Sequence, residues 1–294
     1  MSETSWKEFF HNVAIVGLGL LGGSWGLALR RLGFRGRVLG CGRRRETVER
    51  ALAEGAIDEG FLDVARTVRE ADLIILATPV GTILDLLPLV KTSAAPRALV
   101  TDVGSTKGTI CRKAGEIFEE GPLFLGAHPM AGKERSGLEN ADAGLFENAR
   151  YVLTPLKIEH LEDARVKAFA SLVAAIGARP FVIDAASHDR AVAFLSHLPQ
   201  MVSSALASLV AEQSADVFLP LELAASGFRD VTRLAESPYS VWRDICLTNL
   251  ENIQAALDTL ITKLEDVKHH LSDRELEREF KQAFELREKL REAS

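Results

Sequence analysis

The chain has 294 residues, of which 47% are hydrophobic and 26% charged, and it carries a formal net charge of −6. This length predicts two domains, and the acidic balance argues against a nucleic-acid-binding surface, which needs a basic face. No apolar stretch approaches the roughly 20 residues of a membrane span, the polar start lacks the apolar centre of a signal peptide, and the three cysteines lack metal-ligand spacing. We therefore expect a cytoplasmic, metal-free protein that binds neither nucleic acid nor membrane.

The first strand and the turn after it are the most informative stretch of the chain. Four apolar residues, Val13–Val16, lead into glycines with the spacing Gly17-x-Gly19-x-x-Gly22, and an apolar helical run follows. Gly17 permits a sharp turn, Gly19 lets the backbone approach a phosphate, and Gly22 lets helix and strand pack closely. A strand before this motif and a helix after it predict a dinucleotide-binding site.

Alternating strand and helix patterns continue to residue 184 and predict a Rossmann-type α/β fold, a doubly wound parallel sheet with helices on both faces. The further predicted strands are Arg37–Cys41, Ala71–Ala77, Ala98–Asp102, Leu123–Ala127, Tyr151–Thr154 and Pro180–Ile183. The predicted helices between them are Thr47–Glu54, Ile83–Val90 and Leu161–Ile176.

Helical periodicity replaces the strand patterns from residue 185 onward. The predicted helices are Ala185–Gln213, Leu221–Ser226, Ser240–Lys268 and Ser272–Glu292, the last with Phe280, Phe284 and Leu290 as its seam. Such long helices need partners to bury their apolar faces. We therefore predict a dinucleotide-binding domain over 1–184 and an all-α domain over 185–294 that also forms a homodimer.

The end of the second predicted strand indicates which dinucleotide is bound. An NAD site usually has an acidic residue there to hold the ribose 2′-hydroxyl, but this chain has Gly42 followed by Arg43, Arg44 and Arg45. Glycine leaves room for a 2′-phosphate, and guanidinium groups bind phosphate with forked donors. We predict NADP over NAD; the alternative is that the arginines only solvate a helix start. The cofactor-binding candidates are Gly17, Gly19, Leu20, Leu21, Gly22, Gly42, Arg43, Arg44, Arg45, Thr78 and Pro79.

Two segments have the composition of a reaction centre. They lie at the carboxyl ends of two predicted strands and span Thr101–Gly108 and Gly126–Gly132. Ligands of open parallel sheets bind outside such strand ends. Ser105 and His128 are therefore predicted to face the nicotinamide together. A histidine is the natural base for a hydroxyl proton when hydride leaves the same carbon, and a serine hydroxyl can orient it.

With these segments in view, the chain resembles the prephenate and arogenate dehydrogenases of tyrosine biosynthesis. Five motifs carry the resemblance, in the order of that family: Gly17–Ser24, Asp102–Gly108, His128–Gly137, Ser196–Gln200 and Gly227–Ala235. The resemblance implies oxidative decarboxylation of a cyclohexadienol that carries a ring carboxylate, with His128 as base and Ser105 as its partner. It also implies that Arg233, from the helical domain, binds the ring carboxylate, unless Arg233 forms an interdomain salt bridge, for instance with Glu134. By the same resemblance, the supporting residues of the cleft are His197, Asp230 and Trp242.

Two residues depart from the pattern of prephenate-using members. Gln200 replaces a histidine, and Lys133 replaces a threonine. A neutral amide removes repulsion toward the ammonium group of arogenate, and Lys133 either meets the side-chain carboxylate or points into solvent. We treat Gln200 and Lys133 as candidate substrate-binding residues, and together they favour arogenate over prephenate. Two alternatives stay open: a β-hydroxyacid dehydrogenase of similar architecture, and an NADP-sensing module without catalysis.

Overall fold

The computed structural model describes residues 6–133, 135–216 and 220–292. Its sheet region contains eight strands: β1 Asn12–Val16, β2 Arg37–Cys41, β3 Glu59–Phe61, β4 Leu73–Leu76, β5 Leu99–Asp102, β6 Leu123–Pro129, β7 Arg150–Pro155 and β8 Arg179–Val182. Its helices are α1 Trp6–Phe9, α2 Leu20–Arg31, α3 Arg45–Ala53, α4 Val64–Val68, α5 Val80–Ser93, α6 Gly108–Ile117 and α7 Ala164–Ala175. The short elements β3 and α4, together with α6, are additions to the sequence prediction.

All eight strands form one sheet in the order β3-β2-β1-β4-β5-β6-β7-β8. The order reverses between β1 and β4, which is the crevice where open α/β sheets bind dinucleotides. The predicted doubly wound parallel sheet is confirmed at six of the seven strand pairings. The exception is the pair β6 and β7, which runs antiparallel, with His128 opposite Val152. The ladder carries β6 two residues past its predicted end, so His128 lies within a strand.

Both faces of the sheet are buried. On one face, Trp25 of α2 is fully buried against Phe146, Tyr151 and Phe169, with ring centroids 5.5–6.0 Å apart. Its indole Nε1 donates a hydrogen bond to the Tyr151 hydroxyl at 3.1 Å, so the buried polar atoms of both rings are paired. The opposite face packs against α4, α5 and α6. This burial fixes the strand ends that carry the site.

The helical region consists of α8 Ala185–Val192, α9 Leu198–Asp216, α10 Ser226–Thr232, α11 Tyr239–Thr248, α12 Leu250–His269 and α13 Glu275–Glu292. A π-helical turn, Ala193–His197, connects α8 to α9, and a 3₁₀ turn, Arg233–Glu236, follows α10. The prediction of one helix over Ser240–Lys268 is wrong. Asn249 breaks it with a φ of −130°, outside the helical range.

One helical run, Ala185–Ser214, is long and apolar enough to cross a membrane by length and composition, with a mean hydropathy of 1.2. No membrane span was predicted there from the sequence. Three polar side chains of this run, His188, Asp189 and His197, are buried against other parts of the chain. A single helix of this kind is weak evidence for a membrane span.

Candidate active site

The glycine turn has the shape that a dinucleotide pyrophosphate requires. Gly17 has a φ of 104°, and a Cβ there would lie 2.6 Å from the Ala77 carbonyl oxygen. A Cβ on Gly22 would lie 1.9 Å from the Gly17 carbonyl oxygen, whereas one on Gly19 would meet nothing within 4 Å. Close packing behind the turn and open space in front of Gly19 leave room for a ligand at the start of α2.

The first turn of α2 supplies donors for that ligand. Gly19 precedes the helix without a side-chain cap, so the N–H groups of Leu20, Leu21 and Gly22 have no intrahelical partner. Thr78, two residues past β4, has a buried hydroxyl that makes no hydrogen bond to any described part of the chain, and Pro79 precedes α5 beside it. Unpaired donors, a positive helix end and an orphaned hydroxyl fit a bound dinucleotide.

The second strand ends at the position that distinguishes the two nicotinamide dinucleotides. Gly42 is buried, and its N–H donates to the Phe61 carbonyl oxygen at 3.2 Å. The side chains of Arg43, Arg44 and Arg45 are exposed and form no ion pair with any described residue. Three cations without a carboxylate partner therefore lie at the start of α3, where a helix end disfavours positive charge.

A buried ion pair shapes the loop between β5 and α6. Lys107 and Asp102 are both fully buried, and the Lys107 ammonium donates to Asp102. Asp102 also accepts from the backbone N–H of Gly104 at 2.8 Å and of Ala127 at 3.1 Å. Additional hydrogen bonds are what a buried ion pair needs to be stable. The pair thereby fixes the Ser105 loop against β6, the strand that carries His128.

His128 is half-buried and contacts the helical region. Its Nδ1 lies 2.9 Å from Nε2 of His188, and the two rings meet edge to face at 5.2 Å. Burial lowers the pKa of His128 well below its ordinary value, and the neighbouring His188, Lys107 and His197 lower it further. The imidazole is therefore neutral at pH 7 and can accept a proton.

Ser105, the predicted partner of His128, follows β5 as expected. It lies half-buried in the bend after β5, and its hydroxyl makes no hydrogen bond within the described chain. The hydrogen bond that orients the His128 ring comes from His188 instead. Ser105 is thus near the strand end predicted for it, while its role in orienting His128 stays a prediction.

His197 is buried beside Trp242, with ring centroids 5.8 Å apart. Asn249 fixes its tautomer: Asn249 Nδ2 donates to the Asp189 backbone carbonyl at 2.9 Å and lies 3.2 Å from His197 Nδ1. Because the amide N–H only donates, Nδ1 of His197 accepts, and Nε2 carries the proton. Burial lowers the pKa of His197 to about 4, so this side chain is a neutral donor.

Gln200 is buried, and both its amide hydrogens are used. Nε2 donates to the Leu234 backbone carbonyl at 2.8 Å and to the Ser204 hydroxyl at 3.1 Å. A backbone carbonyl accepts only, so the orientation of the amide is determined, and Oε1 is left as an acceptor. The hydrogen bond to Leu234 also joins α9 to the turn that begins with Arg233.

The remaining predicted substrate-binding residues lie at the protein surface, unlike the buried His197 and Gln200. Arg233 and Asp230 are exposed, and Glu134, the suggested salt-bridge partner of Arg233, lies outside the described residues. The Lys133 ammonium donates to the Asn140 carbonyl at 3.0 Å and to Asp142 at 3.3 Å, within its own loop. Lys133 is therefore bound to its loop, and a direct contact with substrate requires that pair to open.

Two family models match the chain. The model described as "Prephenate dehydrogenase, nucleotide-binding domain" matches residues 25–182, and the one described as "Prephenate dehydrogenase, dimerization domain" matches 184–291. The chain belongs to the prephenate dehydrogenase family.

Individual relatives of this dehydrogenase agree. A prephenate dehydrogenase of Lactococcus lactis is 34% identical over 89% of this chain and 69% of its own. A crystal structure of the Aquifex aeolicus prephenate dehydrogenase with hydroxyphenyl propionate and NAD+ is 32% identical, with a TM-score of 0.84 over 97% of this chain and 98% of that one. The Synechocystis arogenate dehydrogenase is also 32% identical, with a TM-score of 0.79 over 95% and 99% of the two chains. This family member is therefore a dehydrogenase that uses a nicotinamide cofactor.

Three polar residues of the candidate site were not predicted from the sequence: His188, Asp189 and Asn249. His188 and Asp189 are adjacent titratable residues at the start of the helical region, a signal that could have been noticed. Asn249 lies inside an uninterrupted helical periodicity, so nothing local indicated the break. All three are buried where the helical region meets the sheet region.

Proposed function

We propose that the enzyme catalyses the NADP-dependent oxidative decarboxylation of arogenate and, less efficiently, of prephenate, in tyrosine biosynthesis. The observation that carries the proposal is the neutral His128 at the carboxyl end of β6, on the same edge of the sheet as the crevice between β1 and β4 and in contact with His188 of the helical region. A neutral imidazole is the base that a carbinol hydroxyl requires.

The proposed reaction assigns a distinct task to each residue. When bound, the nicotinamide accepts the hydride from the ring carbinol carbon. His128 takes the hydroxyl proton and returns it to the phenolate oxygen after carbon dioxide has left and the ring has become aromatic. Arg233 binds the ring carboxylate bidentately before it leaves, and Ser105 and the Nε2 donor of His197 orient the ring. Trp242 closes one side of the cleft beside His197, with Asp230 at its rim.

The preference for arogenate follows from the orientation of Gln200. Its only unused hydrogen-bonding atom in the described structure is the acceptor Oε1. An acceptor suits the ammonium group of arogenate and cannot donate to the keto oxygen that prephenate has in its place. Lys133, once released from Asp142, is the proposed partner of the side-chain carboxylate.

The preference for NADP follows from the second strand. A buried glycine in place of an acidic residue, with three exposed arginines after it, provides space and charge for a 2′-phosphate. We further propose a homodimer formed by the helical region and a cytoplasmic location, which suits the three unpaired cysteines.

One assay tests the proposal. Purified enzyme is mixed with each substrate under NADP and under NAD, and reduced cofactor is followed by absorbance. The expected order of kcat/KM is arogenate with NADP first and prephenate with NAD last. Absence of turnover with both substrates would contradict the proposal and favour the NADP-sensing alternative.

His128→Asn tests the base. We expect turnover to fall at least about 100-fold because general-base catalysis is lost, while the dissociation constant for NADP stays unchanged. The control is His160→Asn, which changes a half-buried histidine in the 3₁₀ turn Ile158–Glu162. An equal loss of NADP binding would refute the role given to His128.

Gln200→His tests the substrate preference. We expect the ratio of prephenate to arogenate kcat/KM to rise about tenfold, because an imidazole replaces the acceptor with a group that can donate to a keto acid; such an exchange of hydrogen-bonding groups is worth about 1–3 kcal/mol. Gln213→His, at an exposed position of the same helix, is the matched control. An unchanged ratio would contradict the specificity argument.

A further inference from the structure

We propose that His188 and Asp189 form a relay that holds His128 in the tautomer with its proton on Nδ1 and its lone pair on Nε2. The inference rests on the proposed role of His128 as base and adds two positioning residues to it. Neither residue touches substrate in this scheme; both act through the His128 ring.

Three side chains lie in a line of hydrogen bonds. Asp189 Oδ1 is 2.7 Å from His188 Nδ1, and His188 Nε2 is 2.9 Å from His128 Nδ1. His188 and Asp189 are buried, with 3% and 4% of their surfaces exposed. Water therefore has little access to the line, and each ring nitrogen in it depends on its protein neighbour.

The carboxylate at the end of the line is held firmly. Asp189 Oδ1 accepts from the Lys107 backbone N–H and Oδ2 from that of Gly108, both at 2.7 Å. Lys107 is the N-cap and Gly108 the first residue of α6, so the carboxylate lies at the positive end of that helix. A Cβ on Gly108 would come within 2.9 Å of Asp189 Oδ2, so residue 108 must be small for the carboxylate to approach.

The direction of the protons follows from the chemistry of the end groups. Both oxygens of Asp189 accept backbone N–H groups, so in the relay Asp189 also accepts from His188 Nδ1, which carries the one ring proton of His188. His188 Nε2 is then an acceptor, and the His128 Nδ1 opposite it must donate. His128 Nε2 carries no proton and is free to accept one from substrate. A carboxylate that orients an imidazole through its distal nitrogen performs the same task in serine hydrolases.

The tautomer can be measured on the unmodified enzyme, without any substrate. Long-range proton–nitrogen correlation spectra of protein labelled with 15N-histidine distinguish the two neutral tautomers of each ring. The chain has only seven histidines, and the His128 signals are assigned by their loss in His128→Asn. The expected result is a neutral His128 with its proton on Nδ1 at pH 7. A proton on Nε2 instead would overturn the inference, whatever the enzyme's activity.

Asp189→Ala removes the carboxylate that directs the relay. Asparagine is unsuitable because Oδ1 of Asp189 faces both His188 Nδ1 and the Lys107 N–H, and Oδ2 faces the Gly108 N–H, so an amide would set its NH2 against a backbone donor in either orientation. Without the carboxylate, the His188 proton is no longer held on Nδ1. We expect the His128 signals to change from one tautomer to a mixture of two and kcat to fall about tenfold or more, with the NADP dissociation constant within threefold of wild type. A purely structural role for Asp189 would not change the tautomer while leaving cofactor binding intact.

Asp184→Asn is the matched control. Asp184 precedes α8, five residues before Asp189, and its carboxylate accepts from the Ser187 N–H at 2.9 Å, which asparagine can also do. Its spectra and kcat should match wild type. An Asp189→Ala variant with an unchanged His128 tautomer would refute the relay. The expected tautomers in an enzyme that turns over neither substrate would refute the proposed function and leave the relay standing.

Discussion

The sheet region and the helical region bury their apolar residues to very different extents. In the sheet region, both faces of eight strands are covered, and side chains as large as Trp25 and Phe169 are fully buried. In the helical region, most of the large hydrophobic side chains are exposed, among them Leu195 at 79%, Leu223 at 78% and Phe280 at 70%. The sheet region completes its core within one chain, whereas the helical region needs a second surface.

Both regions bury polar side chains, and those of the sheet region include the ion pair of Lys107 and Asp102. The helical region buries His188, Asp189, His197, Gln200 and Asn249. Four of these, all except Gln200, form hydrogen bonds among themselves. Asp189 also bonds to the start of α6, and His188 bonds to His128 of β6. The two faces of the helical region therefore have different roles. Its polar face contacts the sheet region at the candidate active site, and its exposed apolar face is suited to bind a partner subunit. This difference between the regions leads to three predictions.

The largest expected effect concerns assembly. Phe280→Glu with Phe284→Glu places charges on an exposed apolar face of α13, where both side chains are more than half exposed. If this face is buried between two subunits, the charges are desolvated and the dimer dissociates. We expect sedimentation equilibrium to give twice the chain mass for wild type and the single chain mass for the variant at micromolar concentration.

Ile158→Glu is the control for assembly. Ile158 is 68% exposed but belongs to the sheet region, so its variant should remain dimeric. A monomeric wild type, or a double variant that still dimerises, would show that the apolar face of α13 has another use.

The next effect concerns the complete core. Trp25→Ala is expected to lower the free energy of unfolding by about 3–5 kcal/mol, because it opens a cavity and leaves the Tyr151 hydroxyl buried without its indole donor. Urea unfolding measures this change, with Ile158→Ala as the exposed control, expected within about 0.5 kcal/mol of wild type. A loss below 1 kcal/mol for Trp25→Ala would contradict the picture of a tightly packed sheet region.

The smallest effect concerns the polar face. Because burial lowers the pKa of His197 from 6.5 to about 4, the folded state binds its proton more weakly than the unfolded state does. The stability that neutral His197 contributes is complete above pH 6.5 and is lost as pH falls toward 4. From pH 7 to pH 4.5, protonation linked to His197 alone should lower the free energy of unfolding by about 2–3 kcal/mol.

Urea unfolding of His197→Gln at the two pH values checks this expectation. The variant should lose less stability on acidification than wild type by that amount, whereas His269→Gln, at an exposed position of α12, should behave as wild type. Equal acid sensitivity in wild type and His197→Gln would show that other groups dominate.

What the sequence predicted well is what short-range patterns determine. The Gly17, Gly19 and Gly22 spacing predicted the turn because a strand, a tight turn and a helix start are all specified within about 20 residues. The strand Arg37–Cys41 was predicted with its observed bounds for the same reason. The antiparallel direction of β7 was missed, because an alternation of apolar residues is the same whichever way a strand runs.

The site was only partly predictable because its contacts are distant in sequence. His128 was recognisable from its loop, but the partner of its ring, His188, lies 60 residues away. Asn249 was missed because its neighbours keep helical periodicity on both sides, and the break becomes visible only with the hydrogen bonds that it makes to Asp189 and His197.

The break at Asn249 has a consequence for engineering of the enzyme. Asn249 directly precedes α12. Its side-chain Nδ2 donates to the Asp189 backbone carbonyl and to the His197 ring, and its Oδ1 accepts from Asn252 at 2.7 Å. Every hydrogen-bonding atom of that side chain is used, so no other residue type reproduces the set. Libraries that aim to change substrate choice around residue 200 should keep position 249 invariant, since a replacement there disturbs three elements at once.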